Sequence, residues 1–335
     1  MSVVSAWRDG VRRVNDAPIL LLGMYLLTLL VALPLSLALR GMIASHLGDS
    51  LFADTMASGT SYDWWQEFTA QATGLGTTFV PSIIGFGAVL DNLSALLDNV
   101  PMATTIAGAT GAWLVLWSFL SGGVLDRYAR VRPTRAPGFF AACGTHFWRF
   151  LRLGLLALVV YWTLFRFVHP WLFEDVYPWA TADMTAERSA FAVRVLCYLA
   201  FGLLLVVCNL VFDYARIRIV VEDRRSAAGA LVAGARFVRR HPATLRLYVL
   251  NGMCFVLLAF VYALVAPGAP SGQAIWIALA IGQLYILLRH YVKLLFYASQ
   301  VSFFQSRLAH AAYTAAPPVV WPDSPAAESI GNASA

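Results

Sequence analysis

Lysine is almost missing from this chain: of its 24 basic residues only Lys293 is a lysine, and the others are arginines. Charge of any sign is scarce as well. Charged residues make up 13% of the 335 positions, about half the share of an ordinary soluble domain. That scarcity argues against a water-soluble fold. The net charge of +6 would suit nucleic acid if the arginines formed one basic face, but they cluster beside apolar runs, so no nucleic-acid partner is expected. Cysteine is rare too. Cys143, Cys197, Cys208 and Cys254 have no metal-ligand spacing and read as small buried hydrophobes. His-Glu-x-x-His, Gly-x-Ser-x-Gly, a phosphate-binding Gly-Lys-Ser/Thr loop and Cys-x-x-Cys are all lacking, so no catalytic residue, metal or cofactor is expected.

What the chain does have is long apolar runs. Six stretches of about 20 residues match a hydrocarbon core of about 30 Å: Ala17–Leu39, Ala103–Leu125, Leu153–Phe173, Ser189–Val211, Leu245–Pro267 and Gln273–Tyr297. The fold class expected is an all-α polytopic bundle of six spans. Arg8, Arg12 and Arg13 before the first run have the charge order of a secretory signal. That run is too long for a signal's apolar region, however, and it reads as an uncleaved anchor.

Flanking charge sets the direction of each run. No arginine or lysine occurs from Gly41 to Asp126, whereas Asp49, Asp54, Asp63, Glu67, Asp91 and Asp98 do. The next connection holds Arg127, Arg130, Arg132, Arg135, Arg149 and Arg152. A second acidic connection surrounds Glu174, Asp175, Asp183 and Glu187, and a second basic one runs from Arg216 to Arg246. By the positive-inside rule the basic segments lie in the cytoplasm, as do both termini, and a bacterial inner membrane is the expected location.

The expected domain layout is a bundle over 1–313, with an extracytoplasmic insertion at 41–100, and a disordered cytoplasmic tail over 314–335. The tail is rich in Pro, Ala and Ser. Within the insertion, Ser82–Asn99 has the apolar spacing of an amphipathic helix. Trp64 and Trp65 suit a membrane interface.

An internal repeat runs through the bundle. Asp126-Arg127-Tyr128-Ala129-Arg130 closes the second span, Asp213-Tyr214-Ala215-Arg216 the fourth, and Phe296-Tyr297-Ala298-Ser299 the sixth. A short basic stretch with aromatic or branched residues leads into each odd span: Val11-Arg12-Arg13, Phe147-Trp148-Arg149 and Val238-Arg239-Arg240. Three parallel helical hairpins, each with a cytoplasmic interfacial helix, are the implied architecture. The Asp-Arg-Tyr triplet of rhodopsin-like receptors is a coincidence within this repeat, because it follows an even span and six helices are too few.

Ionisable residues inside spans are costly and are therefore site candidates. Arg166 and Arg194 fall at similar depth near the outer surface, within expected reach of Glu174, Asp175 or Glu187, and form a candidate anion or headgroup site. At the inner end Asp126, Asp213, Arg289 and Lys293, with His290 beside them, form a candidate ion-pair cluster tying the three units together. Ala274, Ala278 and Gly282, with Ala107–Gly111 and Gly108–Ala112, have the small-residue spacing of helix-packing seams.

Val220–Leu250 carries Val-Val-Glu-Asp-Arg-Arg-Ser followed by Ala-Gly-Ala-Leu-Val-Ala-Gly-Ala-Arg-Phe-Val-Arg-Arg. This segment resembles uncharacterised bacterial six-helix inner-membrane families, among them the membrane domain of some glycerophosphodiester phosphodiesterases, without their catalytic barrel. The resemblance implies the topology and a bacterial inner membrane, and it implies no activity. Two function classes follow from the residues. The first is a non-catalytic accessory, scaffold or lipid-interacting component whose partners are membrane lipids and other membrane proteins. The second is a small-solute or lipid transporter with a site between the repeats, which a central polar cavity lined by Arg166, Arg194, Asn209, Asn251 or Gln283 would favour. Reporter fusions check the threading: a reporter after Trp64 should read as periplasmic and one after Arg224 as cytoplasmic. The same side for both would overturn the scheme.

Overall fold

The structure is a computed structural model that describes residues 2–58, 61–79, 93–100, 104–131, 135–266 and 274–309. It is all-α among these residues. Six helices are long and apolar enough to cross a membrane, and the protein is a multi-pass membrane protein. In chain order the helices are α1 (Val3–Asn15), α2 (Pro18–Asp49), α3 (Ala53–Ser58), α4 (Tyr62–Gln71), α5 (Thr104–Arg130), α6 (Ala136–Thr163), α7 (Glu187–Val221), α8 (Ala227–Arg240), α9 (Ala243–Val265) and α10 (Ala274–Ala309). From Leu164 α6 runs on through two π-helical stretches to Thr181. The disordered tail expected over 314–335, and most of the amphipathic helix expected over Ser82–Asn99, lie outside the described residues; only its last turn, 93–97, is seen as helix.

The helices start and stop where local chemistry directs. Ser2 caps α1 by accepting from the Ser5 N–H, and Ser226 caps α8 by accepting from the Gly229 N–H. Pro18 and Pro137 sit in the first turns of α2 and α6, where a missing N–H does no harm. Several spans outrun the bilayer. At 1.5 Å per residue, the 32 residues of α2 reach about 48 Å and the 36 of α10 about 54 Å. A hydrocarbon core takes up only about 30 Å.

The surplus lengths build the core. α5, α7 and α10, the three spans that return toward the arginine-rich end, contact one another there. Their last turns hold most of the fully buried side chains, including Leu125, Tyr128, Tyr214, Ile217, Leu294, Phe303 and Phe304. Farther along, toward the acidic end, Leu199, Leu203, Leu257, Phe260 and Trp276 are exposed by the fold alone and face lipid.

Around this trio the basic leaders pack in a closed order. α8 lies on α7, the first half of α6 on α5, and α1 on α10. Each leader therefore covers the return span that precedes it, and α1, with none before it, covers the last. The second leader is no separate interfacial helix but the opening turns of the unbroken α6. Nor does α1 float at an interface: Ala6, Gly10 and Val14 are buried. An apolar face of that width serves a protein surface as well as a lipid one.

Glycine permits the close approach. A methyl added at Gly10 would stand 2.7–2.8 Å from Ser299 Cβ, Cα and N, and one at Gly234 would stand 2.9 Å from the Val211 carbonyl oxygen. Gly123 meets Cys143 and Phe139 in the same way. By contrast, the seam glycines expected from spacing, Gly108, Gly111 and Gly282, have nothing within 4 Å. Among the described residues no neighbouring helix closes on them.

At the acidic end α2 continues into a small aromatic cluster. Trp64, buried, stacks on Phe68 at 5.3 Å, and both meet Phe79 and His46. Trp64 is thus a core residue of this cluster and not a membrane-interface anchor. Trp65 donates its indole N–H to the Phe79 carbonyl at 3.1 Å, and the Ser50 hydroxyl donates to Glu67 at 2.7 Å.

The glycine contacts make a contrast set. Gly10→Ala and Gly234→Ala should each lower the thermal midpoint in detergent, by an overpacking cost of about 1–3 kcal/mol. Gly23→Ala, with open space around it, should be neutral or stabilising by up to about 1 kcal/mol of helix propensity. Equal behaviour of all three would refute the close-packed leaders.

Candidate functional site

Polar side chains concentrate where the return spans meet. On α7, Arg216 donates to Asp213 at 3.1 Å and to the Tyr297 hydroxyl of α10 at 3.3 Å. The Trp117 indole of α5 donates to the same hydroxyl at 3.2 Å. Gln300 donates to the second Asp213 oxygen at 3.4 Å. Lys293 places its ammonium 3.8 Å from the centre of the Trp117 ring, a cation–π contact that is strengthened by exclusion of water. One carboxylate, one guanidinium and one ammonium thus share a single neighbourhood, and Lys293 feels both Arg216 and Asp213 electrostatically.

A second knot ties α1 to the ends of α5 and α10. Arg13 bonds Asp9 at 2.8 Å, the Tyr128 carbonyl at 2.7 Å and Gln305 at 2.9 Å. Gln305 in turn donates to the Ala129 carbonyl at 2.8 Å. The last carbonyls of a helix have no partner within the helix, and here a neighbouring guanidinium and amide supply one. Similar links join α9 to α10 through Asn251 and Ser299 (2.9 Å), α7 to α9 through Asn209 and Tyr248 (2.7 Å), and α2 to α10 through Tyr25 and Gln283 (2.9 Å).

Of the cluster expected from the sequence, the structure brings together Asp213 and Lys293 but assigns the ion pairs differently. Asp126 pairs with Arg130 on its own helix at 2.8 Å, and Asp213 with Arg216 on its own. Among the described residues neither carboxylate forms a salt bridge with Arg289 or Lys293. Arg289 is exposed, and the buried His290 meets Thr28 at 3.0 Å. An arginine three or four residues away on the same helix is already in reach, whereas a cross-helix partner must be delivered by packing.

At the acidic end Arg194 and Arg166 separate. The exposed Arg194 lies over the rings of Tyr177 and Tyr198, each 5.9 Å away. Its acidic neighbour is Asp98. The Tyr198 hydroxyl donates to Asp98, the Ser94 hydroxyl donates at 2.8 Å, and together they hold that carboxyl below its usual range. Arg166 is exposed and takes no part. The turn 93–100 docks on the π-helical part of α6 instead: His169 bonds the Leu97 carbonyl at 2.8 Å, and Asn99 donates to the Phe165 carbonyl at 3.3 Å. Asn99 has φ 55° and ends the turn, with the Val100 N–H closing onto the Ala95 carbonyl at 2.9 Å.

The most prominent cleft among the described residues is apolar. A cleft of about 670 Å³ lies between the first turns of α2, the last turns of α5 and the start of α6, within the size range of small-molecule sites. Leu20, Leu27, Leu116 and Phe119 line it, and Arg127 and Arg135 stand at its arginine-rich end. No sequence feature marks this cleft, because its walls come from two distant apolar runs. Asn209, Asn251 and Gln283 take up the separate links above and do not line it.

Comparison with protein-family models, with curated proteins and with solved structures finds no match for this chain.

The three repeat tyrosines differ in their bonding, and that difference is measurable. Among the described residues the buried hydroxyls of Tyr128 and Tyr214 have no hydrogen-bond partner, whereas Tyr297 accepts from Trp117 and Arg216. Tyr128→Phe and Tyr214→Phe should be neutral or stabilising in thermal unfolding. Tyr297→Phe should cost about 1–3 kcal/mol by stranding two buried donors. A loss at Tyr214→Phe matching that at Tyr297→Phe would refute the network.

Proposed function

We propose that this chain is a non-catalytic, lipid-interacting component of a bacterial inner membrane, with its arginine-rich end and both termini in the cytoplasm. One observation carries the reading. The interior polar groups fasten helix to helix, while a cleft of about 670 Å³ beside them is apolar, with guanidinium groups at one end. The orientation is supported by the guanidinium distribution, which is concentrated in alternate connections, with Arg40 and Arg188 as single exceptions at the acidic end. The closed order of leaders on return spans supports three parallel hairpins related by repetition. Other membrane proteins would meet the acidic segment 41–100 or the basic connections.

A transporter is the second reading, and Lys293 favours it. An ammonium within a span, beside Asp213 and Arg216 and between hairpins, is the kind of group that ion and proton pathways use.

Purification from a bacterial host in mild detergent, with mass spectrometry of bound lipids and proteins, tests the first reading. Stoichiometric phospholipid should accompany the protein, and delipidated protein should bring no lipid or solute flux to vesicles. Flux that is lost in Lys293→Met would establish the second reading.

A further inference from the structure

Resting on the lipid-interacting reading, we propose that the cleft between α2 and the α5–α6 corner holds one anionic phospholipid of the cytoplasmic leaflet. An acyl chain would lie along the apolar walls and the phosphate between Arg127 and Arg135. Three features of the cleft argue for this occupant.

Depth is the first. The α2 wall runs from Ala17 to Leu27 and the facing α5 wall from Arg127 to Leu116. Ten or eleven residues at 1.5 Å each span about 15 Å, half of a hydrocarbon core of about 30 Å. The cleft therefore reaches from headgroup level to the bilayer midplane, the extent of one leaflet.

Charge is the second. Arg127 donates one Nη2 bond to the Asp16 carbonyl at 3.2 Å, which fixes its position and leaves most of its donors unused. Arg135 is exposed and occupies the position before the first turn of α6. Among the described residues neither arginine forms an ion pair with a carboxylate. Among the described residues lining the mouth the one acid, Asp16, already faces Arg12 at 3.8 Å. With Arg13 held by Asp9, Arg127 and Arg135 leave these described residues a surplus of two positive charges. The α6 N-terminus adds its own unpaired N–H groups and the positive end of its dipole. A phosphodiester meets these groups as a bidentate partner. A zwitterionic headgroup carries a choline or amine charge that this mouth would repel.

Shape is the third. α2 is tied to α10 through Tyr25–Gln283 and Thr28–His290, and its opposite flank stands off from α5. Gly23, on that flank, has nothing within 4 Å of where a side chain would begin.

The test uses delipidated full-length protein and native mass spectrometry, with phosphatidylglycerol and phosphatidylcholine of identical chains supplied in equal amounts. Wild type should retain phosphatidylglycerol over phosphatidylcholine by roughly thirtyfold, the preference expected of two arginines beside an anionic headgroup. Arg127→Gln with Arg135→Gln should abolish the preference while leaving phosphatidylcholine binding unchanged. Gly23→Leu, whose side chain would begin in open space and occupy part of the cleft, should weaken both lipids; unchanged circular dichroism and gel filtration of each variant would show an intact fold. Equal retention of both lipids by wild type would overturn the anionic assignment and leave the lipid-interacting reading standing. Retention of neither would overturn both. Undiminished phosphatidylglycerol in Gly23→Leu, or a dimer that Gly23→Leu dissolves, would overturn the cleft as the lipid's place.

Discussion

Burial of apolar surface drives packing only where water is the alternative, and this constraint orders the whole molecule. Within the bilayer a leucine gains little by leaving lipid for protein. The middle lengths of the spans are accordingly dressed in exposed Leu, Val and Phe. Where α5, α7 and α10 approach the arginine-rich end, water returns and the hydrophobic effect of about 25 cal/mol per Å² acts again. There Phe303, Phe304, Ile217, Leu294 and Tyr214 close into a core of the kind found in soluble proteins. The leaders α1 and α8 belong to that core: they cover apolar return spans that would otherwise meet water.

Arginine then does work that lysine would do poorly. Arg218 stacks on Phe237 and Phe304 at 5.7 and 5.3 Å while pairing with Glu222, and Arg307 lies over Phe303 at 5.1 Å. Arg13 reaches a carboxylate, a helix-end carbonyl and an amide at once. A planar fork with five donors can make such bonds and still pack flat on an aromatic ring; an ammonium is a compact, strongly hydrated point charge. The one lysine is likewise held against a ring inside the trio, that of Trp117. Arg149 of α6 bonds Asp223, just past the end of α7, and holds its carboxyl below its usual range.

The spans were legible because length and apolarity are properties of contiguous sequence, and each of the six expected runs falls, over its described residues, on one of the six long helices to within a residue at its ends. The polar contacts were less so. Asp126 and Asp213 were recognisable as ionisable groups at matching depth, but each was expected to reach across helices and each found an arginine on its own. The amphipathic pattern of α1 reveals one apolar stripe and not what covers it, so its burial against Ser299 could not be read. Packing glycines were sought by i, i+4 spacing. The ones that pack, Gly10 and Gly234, are set by where two backbones cross, which depends on tertiary geometry alone. Likewise the electrostatic contact of Arg194 with Asp98 spans some hundred residues of sequence and rests on the turn 93–100 docking onto α6.

The cleft follows from an asymmetry in this ring. α6 packs on both α5 and α7, and α9 on both α7 and α10, so each of these spans is held between two return spans. α2, which follows its leader across Asp16 and Ala17 much as α9 follows α8 across His241 and Pro242, packs chiefly on α10. Among the described residues its far flank stands off from the end of α5 and opens the cleft. In water such a gap would collapse, because exposing its walls costs free energy. In a bilayer it is filled at no such cost by the solvent itself, and the guanidinium groups at its mouth then decide which lipid headgroup is favoured.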